Sequence, residues 1–144
     1  MFDLKRTVTT FMLLAALQGA DSVIVAIADQ GGLPATESPS VAASVKRGEL
    51  LFLQCRACHD VTAGQSHKVG PTLYGIMGRK AARAESYTYS DALKKSGLVW
   101  DVATLDRWLV HPASVVPGTT MAFSGIRSEA DRQAIIAYIE SVAH

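Results

Sequence analysis

The sequence predicts an all-α domain of about four to five short helices whose long loops gather around something other than side chains alone. Three observations predict it. Apolar residues recur at helical spacing in several capped stretches of the 144-residue chain. No stretch alternates apolar and polar residues convincingly enough to be a strand. Residues 60 to 86 and 112 to 127 are polar and punctuated by glycine and proline. Loops of that length are uncommon in a compact domain unless they serve a function.

The N-terminal residues stand apart from this domain. Lys5 and Arg6 make a basic start, FMLLAAL (Phe11 to Leu17) is an apolar run, and VIVAIA ends in Ala26-Ile27-Ala28, a small-x-small cleavage pattern. Residues 1–28 are therefore expected to be an export signal, cleaved after Ala28, which places the mature protein in a periplasm. The competing reading is an uncleaved membrane tether. A spanning helix needs roughly 20 mostly apolar residues. Gln18, Gly19 and Asp21 interrupt the span, and a charge at bilayer depth costs about 2.5–3.5 kcal/mol on insertion scales. Residues 29–44, DQGGLPATESPSVAAS, lack periodicity and are expected to form a flexible leader. The folded domain then runs over residues 45–144. A domain of about 100 residues buries only about two-thirds of its unfolded surface, so a large bound group would usefully enlarge its core.

Within the domain, Ser44 is expected to cap a first helix from Val45 towards Cys58, with Leu51, Phe52 and Cys55 on one side. Ser90 and Gly97 bracket DALKKS as N-cap and C-terminal glycine. Asp101 caps VATLDRWLV, where Val102, Leu105, Trp108 and Leu109 share a face, and His111-Pro112 closes that helix. Ser128 and Asp131 resemble a capping box before a last helix with a stripe of Ile135, Tyr138, Ile139 and Val142.

Chemistry concentrates in QCRACHDVTAGQSHKVGPTLYG, residues 54 to 75, which holds both cysteines of the chain. Cys55-Arg56-Ala57-Cys58-His59 fits the Cys-x-x-Cys-His pattern of covalent haem attachment. Two thiols three residues apart near a helix end can each add to one haem vinyl group, and the adjacent imidazole then becomes an axial ligand. Only neutral imidazole binds iron, so its other nitrogen should donate a hydrogen bond that fixes the tautomer. A thioredoxin-like dithiol needs a strand–helix context that is missing here. A structural zinc site needs four ligands, and His67, His111 and His144 are not spaced as its second half. An exported chain also has little use for thiols outside disulfides unless they serve another chemistry.

The second axial ligand has five candidates: Met77, Met121, His67, His111 and His144. A methionine in an amphipathic stretch is usually core packing, and Met77 in YGIMGRK has that character. Met121 lies in the polar loop VPGTTMAFSG, where packing explains it less well. Thioether sulfur suits haem iron, and Met/His ligation raises the reduction potential.

The motifs CRACH, HKVGPTLYGIMGRK, SYTYSDALKKSG, PGTTMAFSGI and IIAYIE, with the Trp100 region, resemble in order and spacing those of class I cytochromes c. The likeness is to the mitochondrial kind and its short periplasmic bacterial relatives, and it covers about residues 46 to 142. It implies a class I cytochrome c fold wrapped around one haem c, attached through Cys55 and Cys58 and ligated by His59 and Met121. It further implies that the carbonyl of Pro71 receives the second nitrogen of His59. Arg79, Tyr89 and Trp100 would bind a buried haem propionate, Thr119 would join the polar network, and Phe123 would pack beside the exposed haem edge. Gly48 and Tyr138 would lie where the first and last helices cross. On their own, Tyr89 and Trp100 read as core aromatics with a polar tip, and Arg79 as a surface charge.

The chain departs from the mitochondrial pattern in two places near the iron. Leu93 stands where those members carry asparagine, and Trp108 where they carry tyrosine. An indole N–H can only donate, whereas a phenol hydroxyl donates and accepts. Ala113, Ser114, Thr120 and Ser128 replace lysines near the haem edge.

The expected function is that of a mobile, monomeric electron carrier, with no catalytic residues, no small-molecule substrate and no nucleic-acid partner. The resemblance implies redox proteins as partners: a quinol-oxidising cytochrome complex, a terminal oxidase, a photosynthetic reaction centre or a periplasmic dehydrogenase. The competing class is a haem-based peroxidase or gas sensor in which Met121 leaves the iron. The formal net charge is +1. Lys68, Lys80 and Arg127 form at most a thin basic arc, so docking is expected to rest on apolar contact around Phe123, Val115 and Ala113.

Overall fold

The computed structural model describes residues 40–144. The expected export signal or tether, and most of the expected leader, lie outside the described residues. The elements are α1 (Val41–Leu51), α2 (Leu53–Arg56), α3 (Asp91–Lys95), α4 (Val102–Val110), α5 (Pro112–Val115) and α6 (Glu129–Val142). No strand forms among the described residues; one antiparallel bridge joins Lys80 to Val99. The fold is all-α, as the sequence predicts.

The first helix starts earlier than expected. Ser40, not Ser44, accepts from the Ala43 N–H, so Val41 to Ser44 are helical rather than leader. Both serines can cap; the helix extends to the earlier one because nothing in VAAS breaks it. Phe52 separates α1 from α2, and the Cys55 N–H reaches back three residues to the Phe52 carbonyl, so the chain tightens just before the cysteines.

Ser90 caps α3 through the Leu93 N–H, Asp101 caps α4 through the Thr104 N–H, and Ser128 caps α6 through the Asp131 N–H. The Asp101 carboxyl is held below its ordinary value, first by the Thr104 backbone N–H. Two expectations need correction. The Asp131 carboxylate takes Arg47 of α1 as its partner instead of closing a capping box. Residues 112 to 127 are not all loop, because Pro112 starts the single-turn α5 with the His111 side chain as its cap. On α4, Leu105, Trp108 and Leu109 are buried, but Val102, in the first turn, is 40% exposed.

The packing frame is the crossing of α1 and α6. Gly48 is buried there, and a Cβ at that position would overlap the Ala134 carbonyl and the Tyr138 side chain. The absent side chain is what lets the two backbones touch. Phe52 meets Tyr138 with ring centroids 5.3 Å apart, and Ile135, Ile136 and Ile139 fill in behind. Arg132 ties α6 to α4: its Nε donates to Asp106 at 2.8 Å, and one terminal nitrogen donates to the Ile126 and Arg127 carbonyls. Nothing in the amphipathic pattern of α6 marked Arg132 as buried. This frame leaves the loops 57–90 and 116–128 facing each other across a central cavity.

Candidate functional site

The cavity measures about 270 Å³, and it is lined by residues of α2, α3, α4 and α6 and of the loops between them. All ten residues singled out in the sequence lie on its wall: Cys55, Cys58, His59, Pro71, Arg79, Tyr89, Trp100, Thr119, Met121 and Phe123. They come from positions as far apart as α2 and the loop after α5, and only the fold brings them together.

The α2 turn presents the thiols. Cys55 and Cys58 are half-buried and unbridged, and the Cys58 N–H donates to the Cys55 carbonyl at 3.0 Å. Burial, together with the neighbouring Cys58, pushes the Cys55 thiol up to about 11. It is therefore held as a thiol rather than as a metal-ligating thiolate.

His59 is buried. Its Nδ1 lies 2.7 Å from the Pro71 carbonyl oxygen. A carbonyl only accepts, so Nδ1 carries the proton and Nε2 keeps its lone pair. Burial lowers the affinity of the ring for a second proton, and the Lys68 charge works in the same direction. Gly70 packs directly on the imidazole, since a Cβ there would stand 2.8 Å from Nδ1. Gly70 was not singled out in the sequence; the signal available was its place directly before Pro71.

Two of the three other histidines are engaged elsewhere. His67 Nε2 donates to the Glu85 carbonyl at 2.6 Å, and its Nδ1 accepts from the Thr72 N–H. His111 Nδ1 bonds to Ser114 in the cap of α5. Met77 packs half-buried against the core. Met121 lines the cavity, and its sulfur accepts a 3.2 Å hydrogen bond from Trp108 Nε1. Trp108, treated in the sequence as a departure, thus enters the site itself, while Leu93 lines the same cavity as an apolar group.

On the polar side, Arg79 reaches the Arg83 carbonyl, and the Tyr89 hydroxyl accepts from the Ala84 N–H. Burial raises the Tyr89 hydroxyl above its ordinary value, which keeps it a donor. Ala82 and Ser86 in this segment hold φ of 58° and 60°, left-handed backbone that non-glycine residues adopt at a cost of order 1–3 kcal/mol. Lys68, which does not line the cavity, lies 3.4 Å from the Asp60 carboxylate and donates to the Arg56 carbonyl at 3.0 Å.

The donor set fits a covalent haem. Two thiols of suitable spacing, one imidazole locked with Nε2 as acceptor, and one thioether share a cavity otherwise walled by Phe52, Leu73, Leu105, Trp108 and Ile139. Among the described residues no group of three or more His, Cys, Asp or Glu side chains is arranged to hold a metal ion by itself.

The family model described as cytochrome c matches residues 45–143. The chain is 49% identical over 92 residues to cytochrome c2 of Rhodoblastus acidophilus, covering 64% of this chain and 86% of that protein. It is 43% identical over 103 residues to cytochrome c of Kluyveromyces lactis, covering 71% and 94%. Among solved structures, cytochrome cH from Methylobacterium extorquens aligns with a TM-score of 0.64 and 47% identity, over 67% of this chain and 97% of that one.

Proposed function

This chain belongs to the cytochrome c family, the electron-transfer proteins that carry covalent haem c, and from that premise we propose that it shuttles single electrons between redox proteins with His59 and Met121 as the axial ligands. Haem c supplies a one-electron ferric/ferrous couple. The chain's residues supply the rest. Cys55 and Cys58 attach the group through thioethers, and the Pro71 carbonyl holds His59 in the tautomer that offers Nε2. Met121 offers a sulfur that suits both iron oxidation states. Arg79, Tyr89 and Trp100 donate towards a propionate, Thr119 completes the polar side, and Phe123 flanks the mouth through which electrons pass. The apolar wall keeps water out, and ligands that stay bound in both states limit the rearrangement that accompanies each electron.

One observation carries this reading. Both thiols, the oriented imidazole and the Met121 thioether face one largely apolar cavity. The competing class is one in which Met121 leaves the iron for peroxide or a gas.

Partners are proposed to be redox proteins of a respiratory or photosynthetic chain: a quinol-oxidising complex, a terminal oxidase, a reaction centre or a periplasmic dehydrogenase. The chain is proposed to act as a periplasmic monomer after removal of residues 1–28. Among the described residues no helix is long and apolar enough to cross a membrane.

The test is a redox titration of haem-loaded protein followed by its absorption spectrum. A methionine-to-iron charge-transfer band in the oxidised state, with one reversible one-electron wave, is the expected result. A high-spin oxidised spectrum would instead favour the enzyme or sensor.

A further inference from the structure

The sequence counts Lys68 in a basic arc for meeting partners, but its head group is turned onto the haem-attachment turn. Its Nζ donates to the Arg56 carbonyl at 3.0 Å and to the His59 carbonyl at 3.3 Å, and stands 3.4 Å from the Asp60 carboxylate. A lysine head carries three donors and no acceptor, so these three oxygens account for its bonding capacity. The demand arises from the turn itself. A helix leaves its last carbonyls without partners inside it, and α2 ends at Arg56 after a single turn. The following loop supplies what is missing. The Gly70 N–H reaches the Cys58 carbonyl at 2.8 Å, and the Leu73 N–H and Thr72 hydroxyl reach the Asp60 carbonyl. Lys68 serves the carbonyls of Arg56 and His59 with its side chain. The Asp60 carboxyl is held below its ordinary value, first by the Thr62 N–H at 2.9 Å and further by Lys68. Lys68 is not on the cavity wall, although Val69, Gly70 and Pro71, which follow it, are.

We propose that Lys68 is a positioning residue for His59, capping the end of the haem-attachment turn from behind, and that it takes no part in meeting redox partners. The proposal rests on the reading of His59 as an axial ligand. Three links tie the same two segments together: Lys68 Nζ to the His59 carbonyl, the Gly70 N–H to the Cys58 carbonyl, and His59 Nδ1 to the Pro71 carbonyl. The Lys68 N–H also donates to the Gly70 carbonyl at 3.0 Å, which folds the chain tightly at Val69. The lysine therefore fixes the start of the loop whose far side accepts from the imidazole. Without its ammonium, two carbonyls of the turn pass to water, and the loop that holds Nδ1 opens more often. Arginine presents a planar fork of five donors in place of one compact head, so it meets some of these oxygens but not all three alike. A docking lysine needs an ammonium free to meet a partner's carboxylate, and withdrawing this one would strip three oxygens of it.

The experiment uses the haem-loaded protein with Lys68→Met, which keeps an apolar stem and lacks the ammonium, and with Lys68→Arg. Lys80→Met, which removes a cation on the cavity wall, is the comparison. Nuclear magnetic resonance of the ferrous form reads solvent exchange of the His59 Nδ1–H and the Gly70 amide, with the amide of the buried Ile136 in α6 as global reference. The second readout is the bimolecular rate of oxidation by hexacyanoferrate(III), an anion that takes one electron from ferrous haem and becomes hexacyanoferrate(II). In Lys68→Met the two loop protons are expected to exchange about tenfold faster or more while Ile136 keeps its rate, as local opening without global unfolding requires. Lys68→Arg should recover part of the protection. The oxidation rate should change by less than about twofold in Lys68→Met at about 0.1 M salt, where charges beyond about 10 Å are screened. It should change by more in Lys80→Met. If Lys68→Met leaves both loop protons as protected as in the wild type, or speeds Ile136 by the same factor, Lys68 does not position the histidine. If its oxidation rate falls as far as that of Lys80→Met, it is a docking charge. Either result overturns the proposal while the ligation stands. If the wild-type ferrous protein shows no protected imidazole N–H at His59, the ring is not held as a ligand, and both readings are overturned.

Discussion

The Nδ1 atom of His59 lies 2.7 Å from the carbonyl oxygen of Pro71, and the residue between their two segments, Gly70, rests directly on the imidazole face. The Gly70 N–H also donates to the Cys58 carbonyl at 2.8 Å. One short loop thus fixes the ring's tautomer, its rotation and its distance from the thiol turn. Gly70→Ala is expected to force the loop or the ring aside, at about 1–3 kcal/mol, the usual cost of overpacking. The measurement is a denaturant midpoint together with the absorption spectrum of the haem-loaded variant. A wild-type midpoint and spectrum would mean that the loop retreats freely and does not set the ring.

Met121→Ala is expected to leave the haem attached, since attachment uses Cys55 and Cys58, but to open the iron and lower its potential. A shift of more than tenfold in the oxidised-to-reduced ratio, about 59 mV or more, is expected from the loss of a ligand that favours the ferrous state. A wild-type spectrum and potential would turn attention to the other candidates, of which His67 has both ring nitrogens engaged and His111 its Nδ1.

Removing the cofactor's anchors should remove the fold. In Cys55→Ser with Cys58→Ser, the loops on both sides of the cavity have little secondary structure to order them, and each ordered residue costs about 1–2 kcal/mol of backbone entropy. The expected product of the double variant shows no cooperative thermal transition by circular dichroism. Cooperative unfolding without haem at an unchanged midpoint would defeat this account.

Arg132→Met tests the frame rather than the site. It leaves the carbonyls of Ile126 and Arg127 without the guanidinium, and Asp106 with only the 3.3 Å hydrogen bond from Gln133 Nε2. Removing one side of a buried ion pair costs about 3–5 kcal/mol. Because Asp106 is 26% exposed at its side chain, about 2–3 kcal/mol is expected after allowing for solvent. Equilibrium denaturation reads it directly, and a loss under 1 kcal/mol would show that water replaces the guanidinium.

Docking is expected to depend weakly on salt. Lys68 is partly committed to Asp60 and to backbone carbonyls, which thins the basic arc of Lys68, Lys80 and Arg127 further. Strong steering raises association rates by roughly 10- to 1000-fold at low salt, and here the gain should sit at the bottom of that range. Apolar contact around Phe123, Val115 and Ala113 should carry the encounter. The check is the bimolecular electron-transfer rate with a natural redox partner as salt is raised through about 0.1 M, where the Debye length is near 10 Å. A steep fall would make the arc the principal docking element.

The thiol pair and its histidine were legible because haem attachment demands consecutive residues, and a local demand leaves a local signature. The caps Ser90, Asp101 and Ser128 were legible for the same reason: each serves an N–H three residues away. The boundary at Ser44 was not, since two equivalent caps compete and only the lack of a breaker between them decides.

What the chain alone determined was the chemistry of attachment, the helical character and, through family resemblance, which distant residues would converge. What only the tertiary structure decided depends on atoms far apart in sequence meeting at a few ångströms. Asp131 serves Arg47 rather than its own helix end because α1 crosses there. Arg132 is buried because the loop after Met121 folds over it. Trp108 donates to the Met121 sulfur because α4 and that loop face one cavity. A one-dimensional pattern records which groups can donate and accept, but direction and distance come only from packing, and at this site they decide which sulfur the indole N–H meets.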